Sequence, residues 1–248
     1  MGPALGGLVG ERFGLRTIYF ISGSIFFISL LILHFIKSQP VEILDPDLVG
    51  DAKFIDRRFI IFLSVIFLAG FSMYLAQPLS SNYLQNQQGL SLEAIGRLGS
   101  ISSMGIVVLN LVIGNLNPYL GYLLVQLSVA LYALILWRST TFPWFCVGYF
   151  MVGGYRTSLS LATALTRSLV HQSRMGLAFG MTATVGSSSV ILAPAVAGFL
   201  YQYKPPLMYI VAFCLIVVSM GLSARFIPRP DIAGSDFVPV DIDLGGKV

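Results

Sequence analysis

The chain has 248 residues, of which 56% are apolar and only 10% charged, with a formal net charge of +4. Soluble domains carry about 25% charged residues, and a globule of this composition would expose apolar patches large enough to aggregate. The balance excludes a soluble enzyme, a nucleic-acid binder and a disordered chain, and with a mean hydropathy of +0.82 it predicts an all-α polytopic membrane protein.

A hydrocarbon core about 30 Å thick takes roughly 20 residues of helix to cross. Seven stretches meet that length: residues 17–37, 59–84, 94–114, 119–138, 142–168, 174–201 and 206–226. None alternates polar with apolar as a barrel strand does, and any backbone other than helix would leave amides unpaired in lipid. Residues 38–58 mix Glu42, Asp45, Asp47, Asp51 and Asp56 with Lys53, Arg57 and Arg58 around Pro40 and Pro46. They read as a solvated linker between the first span and a bundle of six over residues 59–226. Residues 227–248 read as a polar, acidic tail.

Basic residues orient such a chain. Lys37, Lys53, Arg57, Arg58, Arg167, Arg174, Arg225, Arg229 and Lys247 fall on one side, against Arg12, Arg16, Arg97, Arg138 and Lys204 on the other. Nine against five puts the linker and the C-terminus in the cytoplasm, with the plasma (inner) membrane as the expected location. Cys146 and Cys214 sit in apolar runs without metal-ligand spacing and read as small buried hydrophobes.

The six spans after the linker differ in polarity. The second carries Tyr74, Gln77, Ser81 and Gln85 on one helical face, and the third aligns Gly99, Ser103, Asn110 and Gly114. The fourth is almost pure hydrocarbon apart from Gln126. The fifth aligns Tyr149, Gly153, Arg156, Ser160, Thr163 and Arg167; the sixth is rich in small residues from Gly176 to Ser189; the seventh is again apolar. Polar stripes must face water or protein, whereas apolar helices can face lipid. The order polar, polar, apolar, twice over, is what a cavity built from a 3+3 inverted repeat requires.

Several segments carry a resemblance. Gly2-Pro3-Ala4-Leu5-Gly6-Gly7 resembles the end of a fifth-helix motif, G-P-x-x-G-G, and Arg16 follows Phe13-Gly14 where relatives often have Trp-Arg. Gly114-Asn115-Leu116-Asn117-Pro118-Tyr119-Leu120-Gly121 is similar to a worn loop motif, G-x-L-D-R-x-G, without its acid and bases. Arg174-Met175-Gly176, followed by Gly180, Gly186, Pro194 and Gly198, is similar to an eleventh helix. Together these resemble the major facilitator superfamily, from the end of helix five to helix twelve. The resemblance implies that residues 1–37 are the end of helix five and helix six of an N-terminal half, and that residues 59–226 are the C-terminal half-bundle. Helices one to four would lie outside the chain, so a missing N-terminal half is an implied partner.

Arg156 lies near the middle of its span, where an arginine costs about 2.5–3.5 kcal/mol to insert. It either meets an anionic group on a substrate, to which guanidinium offers a fork of donors, or makes a structural pair with carbonyls or with a carboxylate of the other half. No Asp or Glu occurs between Glu93 and Asp231, His34 lies near a membrane end and His171 falls in an expected cytoplasmic turn. A proton relay, which takes intramembrane Asp, Glu or His, would have to come from the missing helices. Tyr74, Gln77 and Asn110 could bond a polar substrate or serve as helix-to-helix glue. Ser81 and Ser160 share their stripes, and Met181 and Ser188 are expected to line the cavity. Gly176-x-x-x-Gly180 reads as close helix packing rather than ligand contact. Pro78 predicts a kink, and Gly2, Pro3, Gly6 and Gly7 a bend between halves.

The resulting expectation is a secondary transporter that moves a small organic solute by rocking of two bundles. The solute is an organic anion if Arg156 is a ligand, or a drug-like compound if the opening motif carries weight. No cofactor is implied: there is no P-loop lysine motif and no metal constellation. A membrane enzyme would need a motif such as HExxH or GxSxG, and neither occurs. A non-transporting remnant or scaffold is the remaining rival.

Overall fold

The computed structural model describes residues 15–34, 56–170 and 174–227, and all regular structure among them is helical. In chain order the elements are α1 (Leu15–His34), α2 (Arg57–Leu75), α3 (Ser80–Asn86), α4 (Leu92–Gly114) and α5 (Pro118–Arg138). They continue as α6 (Phe142–Val152), a 3₁₀ turn (Gly153–Thr157), α7 (Ser158–Arg167), α8 (Met175–Tyr203) and α9 (Leu207–Phe226).

Local chemistry sets these boundaries. Ser91 caps α4 by accepting from the Ala94 amide at 3.2 Å, and the same first turn is braced by an Arg97–Glu93 pair at 2.7 Å. Asn117 accepts from the Tyr119 amide at 2.9 Å, with Pro118 at the first helical position, where its missing N–H is no loss. Between α3 and α4 the chain reverses at Gly89, whose φ of 66° lies in the left-handed region open to glycine.

Five stretches are long and apolar enough to cross a membrane: α2 and α3 taken together, α4, α5, α8 and α9. The two remaining predicted spans take different forms. In α1 the apolar helix runs from Tyr19 to Ile32, and nearly all of its described side chains are exposed. The stretch 142–168 is not one rod: α6 stops at Val152, the 3₁₀ turn follows, and α7 resumes at Ser158. Gly153 and Gly154 lie at this break.

A second break separates α2 from α3, at Pro78, as the sequence predicts. Proline removes one amide from the ladder, and nearby groups take up the slack: the Gln77 side chain donates to the Met73 carbonyl at 2.9 Å, and the Ser80 hydroxyl donates to the Gln77 carbonyl at 2.8 Å. Pro194, by contrast, is carried inside α8 without interrupting it.

The helices close into a ring. α2 packs between α8 and α9, α9 against α5, α5 against α6 and α7, and α7 back onto α8; α4 lies against α6 and the 3₁₀ turn. Tyr122, Phe62, Met73, Leu136 and Met208 are among the side chains buried in the core. Polar groups also hold it together. The Gln126 amide donates to Ser223 at 2.9 Å, Ser219 donates to the Gln126 carbonyl oxygen at 3.1 Å, and Ser72 lies 3.4 Å from Ser219. All four residues are fully buried, so Gln126 of α5 is a three-helix tie. Thr166 and Thr182 join α7 to α8 at 2.9 Å.

Candidate substrate cavity

Two adjoining hollows lie where α2, the 3₁₀ turn with α7, and α8 face one another. One, of about 290 Å³, is bordered by Ile66 and Gly70 of α2, Tyr122 of α5 and Gly186 of α8. The other, of about 440 Å³, is bordered by Tyr74, Gln77, Pro78 and Arg156. Tyr155, Ser158, Leu159 and Val190 border both, so the hollows form one bipartite cavity. Its two ends differ in chemistry: the first is predominantly apolar, and the second gathers a guanidinium, an amide and two tyrosines.

Both helix breaks contribute to it. Tyr74 comes from the last turn of α2, Gln77 and Pro78 from the interruption that follows it, and Tyr155 and Arg156 from the 3₁₀ turn. Interrupted helices are tolerated at membrane depth where they border a cavity or are covered by protein. The rings of Tyr74 and Tyr155 stand 5.6 Å apart, inclined by 34°, and bridge the two breaks.

Arg156 is exposed, and among the described residues it makes no hydrogen bond or ion pair with a side chain. The described acids are Asp56 and Glu93, both exposed at helix ends, and Glu93 pairs with Arg97. The cavity's formal charge among the described residues is therefore positive and rests on one guanidinium.

The sequence stripe is only partly assembled. Tyr74, Gln77 and Arg156 meet in the cavity. Ser81 is exposed on α3 beyond the break, and Ser160 is exposed on α7; neither borders the hollow. Asn110 lies on α4, behind the 3₁₀ turn, and accepts a hydrogen bond from Thr157. Met181 and Ser188 border a separate apolar groove of about 560 Å³ with Ile60, Leu63 and Phe67, between α2 and α8. Tyr122, Tyr155 and Ser158 border the cavity without having been singled out from the sequence. Tyr155 and Ser158 are three residues apart, the spacing that aligns side chains on a 3₁₀ turn, so a glycine-centred break in span five is the signal that could have found them.

The glycine motifs also divide. Gly121 packs beneath Ile113 and Leu161 at the start of α5, whereas a Cβ at Gly114, Gly176 or Gly180 would meet nothing within 4 Å. Close packing at Gly176 and Gly180 is therefore not found among the described residues, because the face of α8 that carries them is open. Close backbone approach occurs at Gly105 and Gly153 instead. Gly2, Pro3, Gly6 and Gly7 lie outside the described residues, as do His171 and the stretches 38–55 and 228–248.

No curated protein matches the chain. A family model, that of the Major Facilitator Superfamily, matches residues 62–241.

Proposed function

Because the chain belongs to the major facilitator superfamily, a family of membrane transporters, we propose that it serves a secondary carrier of small amphipathic organic anions. The observation that carries this reading is Arg156, unpaired among the described residues, at the polar end of a cavity whose other end is apolar. A carboxylate, sulfonate or phosphate would dock on the guanidinium fork, with Gln77 beside it. The organic body would lie against Tyr74, Tyr155 and Tyr122, toward Ile66 and Gly70.

Transport follows as alternating access, in which the bundle of residues 59–226 rocks against a second bundle and exposes the cavity to each side in turn. Interrupted helices in corresponding positions of two repeats point to a binding site. Counting the first three and last three spans of the bundle as triplets, both breaks fall in the leading span of a triplet, and this supports the inverted-repeat reading. Residues 1–37 would be the end of the partner half, residues 38–58 a cytoplasmic linker and residues 227–248 a cytoplasmic tail. The plasma membrane is the location in keeping with a solute carrier of this kind.

The test uses the carrier with both bundles present in proteoliposomes, with benzenesulfonate as a permanently charged aromatic anion and benzyltrimethylammonium as a cation of similar size. Saturable uptake of the anion alone is expected. Arg156→Gln should raise the KM for benzenesulfonate by roughly 10–100-fold, the range of a hydrogen bond to a charged group. Arg156→Lys should lie between, since a point charge cannot reproduce the fork. Equal handling of both ions, or unchanged kinetics in Arg156→Gln, would remove Arg156 from the site.

A further inference from the structure

Arg156 sits in a turn that is tied down from behind. On one side of it in sequence is Tyr155, whose ring borders the cavity; on the other is Thr157, which is 4% exposed. Threonines inside helices commonly return their hydroxyl to a carbonyl one turn back. Thr163, Thr166, Thr182 and Thr184 all do so here, each to the carbonyl four residues earlier. Thr157 departs from this habit: its hydroxyl crosses to the side-chain oxygen of Asn110 on α4.

The glycines of the turn act in the same sense. Gly153 lies so close to Gly105 and Ile106 of α4 that main chain meets main chain, and Gly154 lies against Ser128 of α5. Sliding the turn along α4 would break the Thr157–Asn110 bond and press these glycines into their neighbours. The bond therefore fixes the register of the turn on α4, and with it the position from which the Arg156 side chain starts.

From this geometry we infer that Asn110 is a positioning residue for the anion site, acting on Arg156 through Thr157 while standing outside the cavity. The inference rests on the anion-carrier reading above and adds a residue and a direction of influence. A short hydrogen bond between two uncharged side chains suits this task, because it holds the turn without placing a carboxylate near the guanidinium. A carboxylate there would compete with the substrate for Arg156.

The experiment is a mutant cycle on the two-bundle carrier in proteoliposomes, read as KM and maximal rate for benzenesulfonate uptake. Thr157→Val keeps the volume and removes the donor; it should raise KM about five- to tenfold, the effect of one hydrogen bond, with maximal rate changed less than twofold. Thr157→Ser keeps the donor and should restore KM to within about twofold of wild type. Asn110→Leu should match Thr157→Val, and the double variant should be no worse than either single variant, as for two ends of one bond. In an Arg156→Gln background, Thr157→Val should add no further rise in KM, an outcome that loosened packing alone would not produce. Unchanged KM in both Thr157→Val and Asn110→Leu would overturn the inference while leaving the anion reading intact. So would additive effects of Thr157→Val and Arg156→Gln. Failure of the wild-type chain to prefer the anion would remove the reading and the inference together.

Discussion

Gly105 of α4 and Gly153 of the 3₁₀ turn meet backbone to backbone: a methyl group on Gly153 would fall onto the main chain of Gly105 and Ile106, and one on Gly105 onto the carbonyl group of Phe150. Main chain cannot step aside as a side-chain tip can. Gly153→Ala and Gly105→Ala are therefore expected to lower stability by about 1–3 kcal/mol, the ordinary penalty for overpacking. Gly180→Ala is the contrast, because its Cβ would meet open space and alanine is favoured over glycine in a helix by up to about 1 kcal/mol. Thermal unfolding of the purified variants in one detergent checks the order: Gly153→Ala and Gly105→Ala below wild type, Gly180→Ala level with it or above.

That pair was not legible in the sequence, and the reason is physical. Hydropathy reports how oily a stretch is, and it located the five stretches between the start of α2 and the end of α9 that are long and apolar enough to cross a membrane. It does not report phase. One regular helix over 142–168 puts Gly153, Arg156 and Ser160 on a single face, and this reading finds Arg156. A short tighter turn in the middle shifts everything after it, so Ser158 borders the cavity in place of Ser160. Small residues are ambiguous for a related reason: GxxxG spacing on α8 looks like a packing face, yet a contact requires a partner surface, and α4 has one in the 3₁₀ turn where Gly176 and Gly180 have none among the described residues. From the sequence Asn110 reads equally as a substrate contact or as helix-to-helix glue, because its partner, Thr157, is 47 positions away.

The phase shift gives a direct prediction for two serines. Ser158 borders both hollows, and Ser160, two residues later, borders neither. Ser158→Val should weaken benzenesulfonate uptake, with KM raised about two- to tenfold if the hydroxyl bonds the anion. Ser160→Val should leave KM unchanged. The kinetic measurement of the two variants side by side decides it; equal effects would mean that the 3₁₀ turn does not set the phase of α7 in the working carrier.

Gln126 offers a test of stability that leaves the cavity alone. Its amide joins Ser223 and Ser219 of α9, and through Ser219 approaches Ser72 of α2, all in a fully buried layer. Hydrogen bonds between membrane helices contribute on average about 0.6 kcal/mol and at most about 2 kcal/mol. Gln126→Leu preserves bulk and removes both bonds, so a loss of about 1–2 kcal/mol is expected, seen as a lower thermal midpoint. Benzenesulfonate KM should not move, because Gln126 borders neither hollow. A changed KM with unchanged stability would reverse the assignment of Gln126 from tie to site.

Orientation can be tested through Ser38, which lies outside the described residues. The basic residues divide nine against five in favour of the side that carries Lys53, Arg57, Arg58 and Arg167, and translocation disfavours loops rich in Lys and Arg. Residues 38–58 should then be cytoplasmic and the exposed Thr140, between α5 and α6, on the outer side. Cys146 is half-buried and Cys214 exposed, so both are first replaced by alanine. In that background, a membrane-impermeant thiol reagent applied to intact cells should label Thr140→Cys at once and Ser38→Cys only after permeabilisation. The reverse pattern would turn the chain over in the membrane, and labelling of both in intact cells would put an even number of crossings between residues 38 and 140.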